Sequence, residues 1–176
     1  MSTSTAIRRQ RMNAHGKRIP RTPRPVAIDT LAIAVNGVAK LTPAEITKTL
    51  TPMKEAMQAM REGRGLRRDF EWLCTACHIG QAVEEGGVVR GFEVLIDRAY
   101  IALNSIERRA APTGDEQQWK PVTLYAQEIN ALDDWTSFFA QQIGFLSWRE
   151  YTTAYDKAIA RVTSNGGKCL DPKNFH

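Results

Sequence analysis

The strongest constraint on this chain is the spacing of its apolar residues, which recur at steps of three and four from residue 26 to residue 162. No segment offers a credible pair of strands. Ile28, Leu31, Val35 and Val38 make the first stripe, over residues 26–40. Behind Thr42, Pro43 and Glu45, which supply an N-cap, a first-turn proline and a capping-box acid, comes a second stripe of Ile46, Leu50, Met53, Met57 and Met60. That stripe runs through Pro52, whose missing N–H and ring predict a kink or break, with Thr51 placed to cap a restart. Gly63 closes it. A third helix is expected over about residues 66–85, ended by Gly86 and Gly87, and a fourth over 88–110, with Phe92, Leu95, Ile96, Ala99, Leu103 and Ile106 on one side. Residues 111–120 are the longest internal loop, and Pro121 suits the first turn of a long fifth helix carrying Tyr125, Ile129, Leu132, Phe139 and Ile143. Residues 147–150 spell a capping box that opens a sixth helix, with Trp148, Tyr151, Tyr155, Ile159 and Val162 as its stripe and a glycine stop at 164–167. The pattern predicts an all-α, single-domain bundle of about six helices, neighbours antiparallel, with an extended basic N-terminal arm.

Charge separates that arm from the body. Residues 1–25 hold Arg8, Arg9, Arg11, Lys17, Arg18, Arg21 and Arg24 with no acid, a charge of +7. The other 151 residues hold 17 cations and 19 acids, a charge of −2. With Pro20, Pro23 and Pro25 and few apolar groups, the arm reads as disordered or extended. It suits a phosphate backbone, an acidic protein groove or a ribonucleoprotein surface; the plain alternative is a solubilising tail. Its prolines oppose the amphipathic helix of a transit peptide, and Met12 is a second possible start, leaving an arm of +4. The expected division is an arm at 1–25, a bundle domain at 26–168 and a tail at 169–176. At 176 residues the chain is long enough to bury a core without disulfides or a structural metal. It contains no run of 18 apolar residues to span a membrane and no apolar segment of the kind a secretory signal needs. A reducing compartment, the cytoplasm, is the expected location.

Cys74-Thr75-Ala76-Cys77-His78 has the spelling that tethers haem covalently. Its setting argues for packing instead. Phe70, Leu73, Cys74 and Cys77 share one helical face while Trp72, Ala76, Ile79 and Val83 cover another, and a helix apolar on two faces belongs inside a bundle. A zinc site needs a fourth ligand, and Cys169 is the only other cysteine. A thioredoxin-like pair would open a helix after a strand. The expectation is therefore two reduced, buried cysteines, His78 at the edge of the core, and neither cofactor nor metal.

Four guanidinium groups, Arg61, Arg64, Arg67 and Arg68, gather around the turn at 63–65 and could grip phosphates or carboxylates, because their planar forks suit bidentate contacts. Glu62, Asp69 and Glu71 are close enough to neutralise part of that charge. Arg108 and Arg109 complement a helix dipole. The acid pairs Glu84-Glu85 and Asp133-Asp134 diverge by about 100° on a helix and read as solvated faces. Methionines 53, 57 and 60 read as core, with an adaptable binding face as the alternative. Of the four tryptophans, Trp72 and Trp148 fall in apolar stripes and are expected inside. Trp119, beside Lys120, and Trp135, beside Asp134, are the surface candidates for stacking on bases or anchoring a partner.

The stretches HGKR at 15–18, REG at 61–63, GVVRGFEVLIDRAYIALNSIERRA at 87–110 and FLSWREYTTAYDKAIARV at 145–162 resemble a group of small, all-helical proteins. These are encoded in prophages and other mobile elements of proteobacteria, largely without assigned activity. The likeness spans most of the chain and contains no catalytic motif, so it implies a context and no residue roles. Such phage proteins often bind and block host machinery, including CRISPR effectors and other defence complexes. The expectation is a non-enzymatic binding protein that engages a nucleic acid or a nucleoprotein complex. Two alternatives stand beside it: a protein-only adaptor or oligomer burying exposed Trp and Met side chains, and, more remotely, a haem or redox protein.

Overall fold

The helix boundaries follow from the chemistry at their ends. In a computed structural model that describes residues 37–112 and 118–165, the order is α1 (Pro43–Arg61), α2 (Arg67–Gly86), α3 (Glu93–Ala110), α4 (Ala126–Gly144) and α5 (Trp148–Ser164). The expected arm at 1–25 and the expected tail at 169–176 lie outside the described residues, as does most of the helix expected at 26–40. The described residues are all-helical, apart from one antiparallel bridge between Lys40 and Ser147 that ties the chain before α1 to the start of α5. No helix among them is long and apolar enough to cross a membrane.

Both capping boxes are formed. Thr42 Oγ1 accepts from Glu45 N at 3.3 Å while Thr42 N donates to the Glu45 carboxylate at 2.8 Å. Ser147 and Glu150 repeat the exchange at α5 with the same distances. Past the end of α1, Gly63 adopts φ 67°. Its N–H bonds Met60 O, and Arg64 N bonds Ala59 O, the paired bonds by which a left-handed glycine satisfies the last carbonyls of a helix. Gly87 closes α2 with φ 74°.

Three boundaries differ from expectation. Pro52 does not break α1, which runs unbroken from Pro43 to Arg61. Thr51 caps no restart there and donates back to the Thr47 carbonyl at 2.8 Å. The buried stripe of Leu50, Met53, Met57 and Met60 holds the helix on its neighbours across the lost hydrogen bond. α3 starts at Glu93 rather than 88, because Gly91 (φ 102°) turns the chain and Glu84 on α2 reaches across to accept from Gly91 N at 2.6 Å and Phe92 N at 3.2 Å. α4 starts at Ala126 rather than near Pro121. Glu128 accepts from Tyr125 N at 2.8 Å, capping the helix five residues later than the proline suggested.

α2 is the central helix and contacts the other four. Its burial follows: Phe70, Leu73, Cys74, Ala76, Cys77, His78, Ile79, Gly80, Ala82 and Val83 are all inside. The three methionines of α1 are core as well. Gly80 sits where α4 comes closest, and a Cβ at this position would overlap the ring of Trp135. On α4 the buried positions Glu128, Leu132, Trp135, Phe139 and Gln142 recur at steps of four and three, one continuous face. α5 buries only Ala154 and Ala158, so its expected core stripe is corrected. The small residues face α2, and the aromatic ones stand beside them.

Candidate nucleic-acid or partner interface

Arg61, Arg64, Arg67 and Arg68 lie on the end of α1, the turn after it and the first turn of α2, and each has an acid near it. Arg61 is paired with Asp133 of α4 and Arg64 with Glu62. Arg67 Nε meets Glu71 at 2.7 Å, one turn along the same helix, and Arg68 lies 3.8 Å from Asp69. Asp69 is itself engaged, accepting from Leu66 N at 2.8 Å at the start of α2. The two pairs that remain open to a ligand are those of Arg64 and Arg68, whose side chains are 65% and 77% exposed. Exposed pairs of this kind contribute at most about 1 kcal/mol each, so an incoming phosphate can compete for the guanidinium groups.

Trp119 and Lys120 are brought to this same end of the bundle. Trp119 Nε1 donates to Gly65 O at 3.1 Å, and its ring packs on Phe70 with centroids 5.0 Å apart. This corrects Trp119 as an open stacking platform: it is half-buried and works as a strap that holds the segment before α4 against the arginine-bearing turn. Gly65 leaves room for the arrangement, since a Cβ there would overlap Met60. Lys120 donates its backbone N–H to Ala110 O at 2.9 Å and is exposed. Arg64, Arg68 and Lys120 thus share one end of the molecule. The other seven candidates, Arg8, Arg9, Arg11, Lys17, Arg18, Arg21 and Arg24, lie outside the described residues.

The remaining tryptophans reverse the expectation. Trp135 is wholly buried, so it is no surface anchor, while Trp72 and Trp148 are exposed. Trp135 continues the step from Leu132 to Phe139, and the acid at 134 points the other way. Trp72 shares its helical side with Arg68 and Thr75, one turn before and after it, both at least partly in water.

Sequence reasoning missed the most buried ion pair. Arg109 clamps Glu128 with both carboxylate oxygens, 2.6 and 2.5 Å from Nη2, donates to Thr123 O at 2.8 Å through Nη1, and lies 4.0 Å over the Tyr125 ring. Glu128 is almost wholly buried. Arg109 therefore does more than complement the α3 dipole: it fastens the end of α3 to the start of α4. The acid pairs are also employed as structure, Glu84 on the turn into α3, Glu85 with Arg161 and Asp133 with Arg61.

Cys74 and Cys77 are buried thiols, as the packing argument expects. Desolvation pushes the Cys77 thiol well above its ordinary value, which keeps it protonated and a poor nucleophile or ligand. His78 is inside the core rather than at its edge, with Nδ1 2.8 Å from the Tyr100 hydroxyl, which donates to Gln81 Oε1 at 3.2 Å. Burial, and then the neighbouring Cys77 and Cys74, push the Tyr100 phenol up, against an opposing effect of Arg161. Among the described residues no group of three or more His, Cys, Asp or Glu side chains is placed to hold a metal ion.

The fold defines a class no finer than an all-α bundle. Comparison of the chain with protein-family models, with curated proteins and with solved structures found no match.

Proposed function

We propose that this chain is a non-enzymatic binding protein that engages an anionic partner, a nucleic acid or a nucleoprotein complex, through its basic N-terminal segment and the Arg64, Arg68 and Lys120 end of the bundle. The carrying observation is the segregation of charge: seven cations and no acid in the first 25 residues, against a charge of −2 on the rest. A cationic segment gains affinity by releasing counterions from phosphates, with no shaped pocket required. Arg64 and Arg68 support the reading because their guanidinium groups are exposed and held only by weak surface pairs.

The resemblance to mobile-element proteins directs the search for that partner to cytoplasmic host-defence complexes, CRISPR effectors among them, with inhibition as the outcome. The test is capture of the tagged full chain from a host lysate, with and without nuclease, followed by identification of bound nucleic acid and protein. Retention of nucleic acid or a nucleoprotein that nuclease releases is the expected result. A protein partner indifferent to nuclease, with no nucleic acid recovered, contradicts the proposal.

A further inference from the structure

Where the last turn of α2 meets the first half of α5, the two helices leave an open cavity of about 280 Å³. Its floor is apolar: Val83 of α2, Leu146 before α5 and Ala154 of α5 line it and are buried. One wall carries Arg149, Thr153 and Lys157, which recur at steps of four and so form a single row along α5. All three are exposed. Among the described residues neither Arg149 nor Lys157 has an ion pair, unlike Arg61, Arg64, Arg67 and Arg68. Gly86, the last residue of α2, also lines the cavity and leaves it open, since a Cβ there would meet no atom within 4 Å.

The charges around this cavity select its occupant. Two cations, Arg149 and Lys157, against one acid, Glu150, give the lining a net charge of +1. Glu150 is already engaged: its Oε2 accepts from Ser147 N and Oγ at 2.8 Å each, and Lys40 stands near enough to favour its charge. Three further acids lie nearby in the sequence, and none lines the cavity. Asp156 is exposed to solvent, Glu85 is paired with Arg161, and Glu84 caps the turn into α3. A monoanion therefore matches the lining, whereas a phosphate dianion would exceed its charge beside a carboxylate. The planar fork of Arg149 suits a carboxylate in particular. Beneath the cations the apolar floor has room for hydrocarbon, and the volume is at the small end for a ligand site, so the occupant is small.

We propose that this cavity binds a small amphipathic monocarboxylate, its hydrocarbon on Val83, Leu146 and Ala154 and its carboxylate at Arg149 and Lys157. The site is separate from the arginine-bearing turn, because α2 begins at that turn and ends here, about 30 Å further on for a helix of 20 residues. It stands independently of the charge-based reading above. Octanoate is the probe. Titrated into the full chain, it should saturate in the range of about 0.1–1 mM and shift the methyl NMR signals of Val83, Leu146 and Ala154. Hexanoate should bind more weakly, by about fourfold for each methylene lost from the floor. Octanol and acetate, each with half of the chemistry, should bind at least about tenfold more weakly than octanoate. Arg149→Gln combined with Lys157→Gln should weaken octanoate by about tenfold and leave octanol unchanged. Gly86→Leu places a side chain in the open space and should abolish the octanoate shifts without lowering the thermal midpoint. Should the leucine unsettle the fold, the double variant, altered only at exposed positions, decides the matter. Octanoate bound undiminished by the double variant or by a folded Gly86→Leu, octanol bound as tightly as octanoate, or no saturable shift at those three methyl-bearing residues overturns the proposal.

Discussion

At the residue scale, burial is decided by the neighbours one turn away, and the tryptophans show where the sequence was legible. The burial of Trp135 follows the three-four rhythm of Leu132, Trp135 and Phe139, whereas the adjacent Asp134 lies on the exposed side of the helix. Trp72 has Arg68 and Thr75 one turn either side, so the same rule places it outside. Gly80 was invisible to such reasoning, because its role depends on a partner more than fifty positions away. Intrinsic propensity favours alanine over glycine in mid-helix by about 1 kcal/mol. Gly80→Ala should nonetheless destabilise the protein by about 1–3 kcal/mol, since its methyl group overlaps Trp135. A gain in the urea midpoint would show that α4 can draw back at no cost. Arg109 is a second long-range case. Arg109→Ala leaves the buried Glu128 carboxylate without its cation and should cost about 2–4 kcal/mol, part of the full penalty because Arg109 itself is partly in water. Restoration of stability in Arg109→Met combined with Glu128→Leu, both measured by chemical denaturation, checks that the loss is electrostatic.

At the element scale, helix ends written in local code were legible and those set by tertiary contacts were not. The Thr42 and Ser147 capping boxes and the Gly63 and Gly87 stops follow from residues within four positions of each boundary. The starts of α3 and α4 depend on Glu84 and Glu128, whose carboxylates satisfy backbone N–H groups that propensity cannot anticipate. Pro52 is tolerated because the methionine stripe packs α1 on both sides of it. The capping acids carry a pH signature. Hydrogen bonds from the Ser147 backbone and hydroxyl hold Glu150 below its ordinary value of 4.5, and those from the Thr42 hydroxyl and backbone do the same for Glu45. A carboxyl group that binds its proton less readily when folded stabilises the fold fully above that ordinary value, and this contribution disappears as the pH falls through the lowered one. Replacing Glu150 with Gln should therefore flatten the loss of stability below about pH 4.5 while leaving its slope near neutrality unchanged. Urea midpoints of the two proteins between pH 3 and pH 7 decide it; parallel curves would show that Glu150 contributes nothing to the acid sensitivity of the fold.

At the scale of the whole molecule, a protonated core and a segregated charge define the behaviour. Cys77 and Tyr100 have ordinary values of 9.0 and 10.0, and burial raises both in the folded protein. Above pH 9 the unfolded chain thus releases protons that the folded one keeps, and stability falls as the pH rises further. Thermal midpoints should be level from pH 7 to about pH 9 and then decline, with Tyr100→Phe reducing the slope. The charge layout was fully legible in the sequence, since it needs only a count along the chain. Which arginines of the bundle remain available was not, because Arg61 finds its acid on α4, 72 positions away. We propose that this layout serves an anionic partner, and the salt dependence of binding tests that role most directly. For the full chain on a duplex DNA probe followed by fluorescence anisotropy, log K should fall linearly with log salt at a slope of about −6 if the seven cations of residues 1–25 meet phosphates. Residues 26–176 should bind more weakly, with a much shallower slope. Equal affinity and equal slope for the two proteins, or binding that salt leaves unchanged, would contradict it.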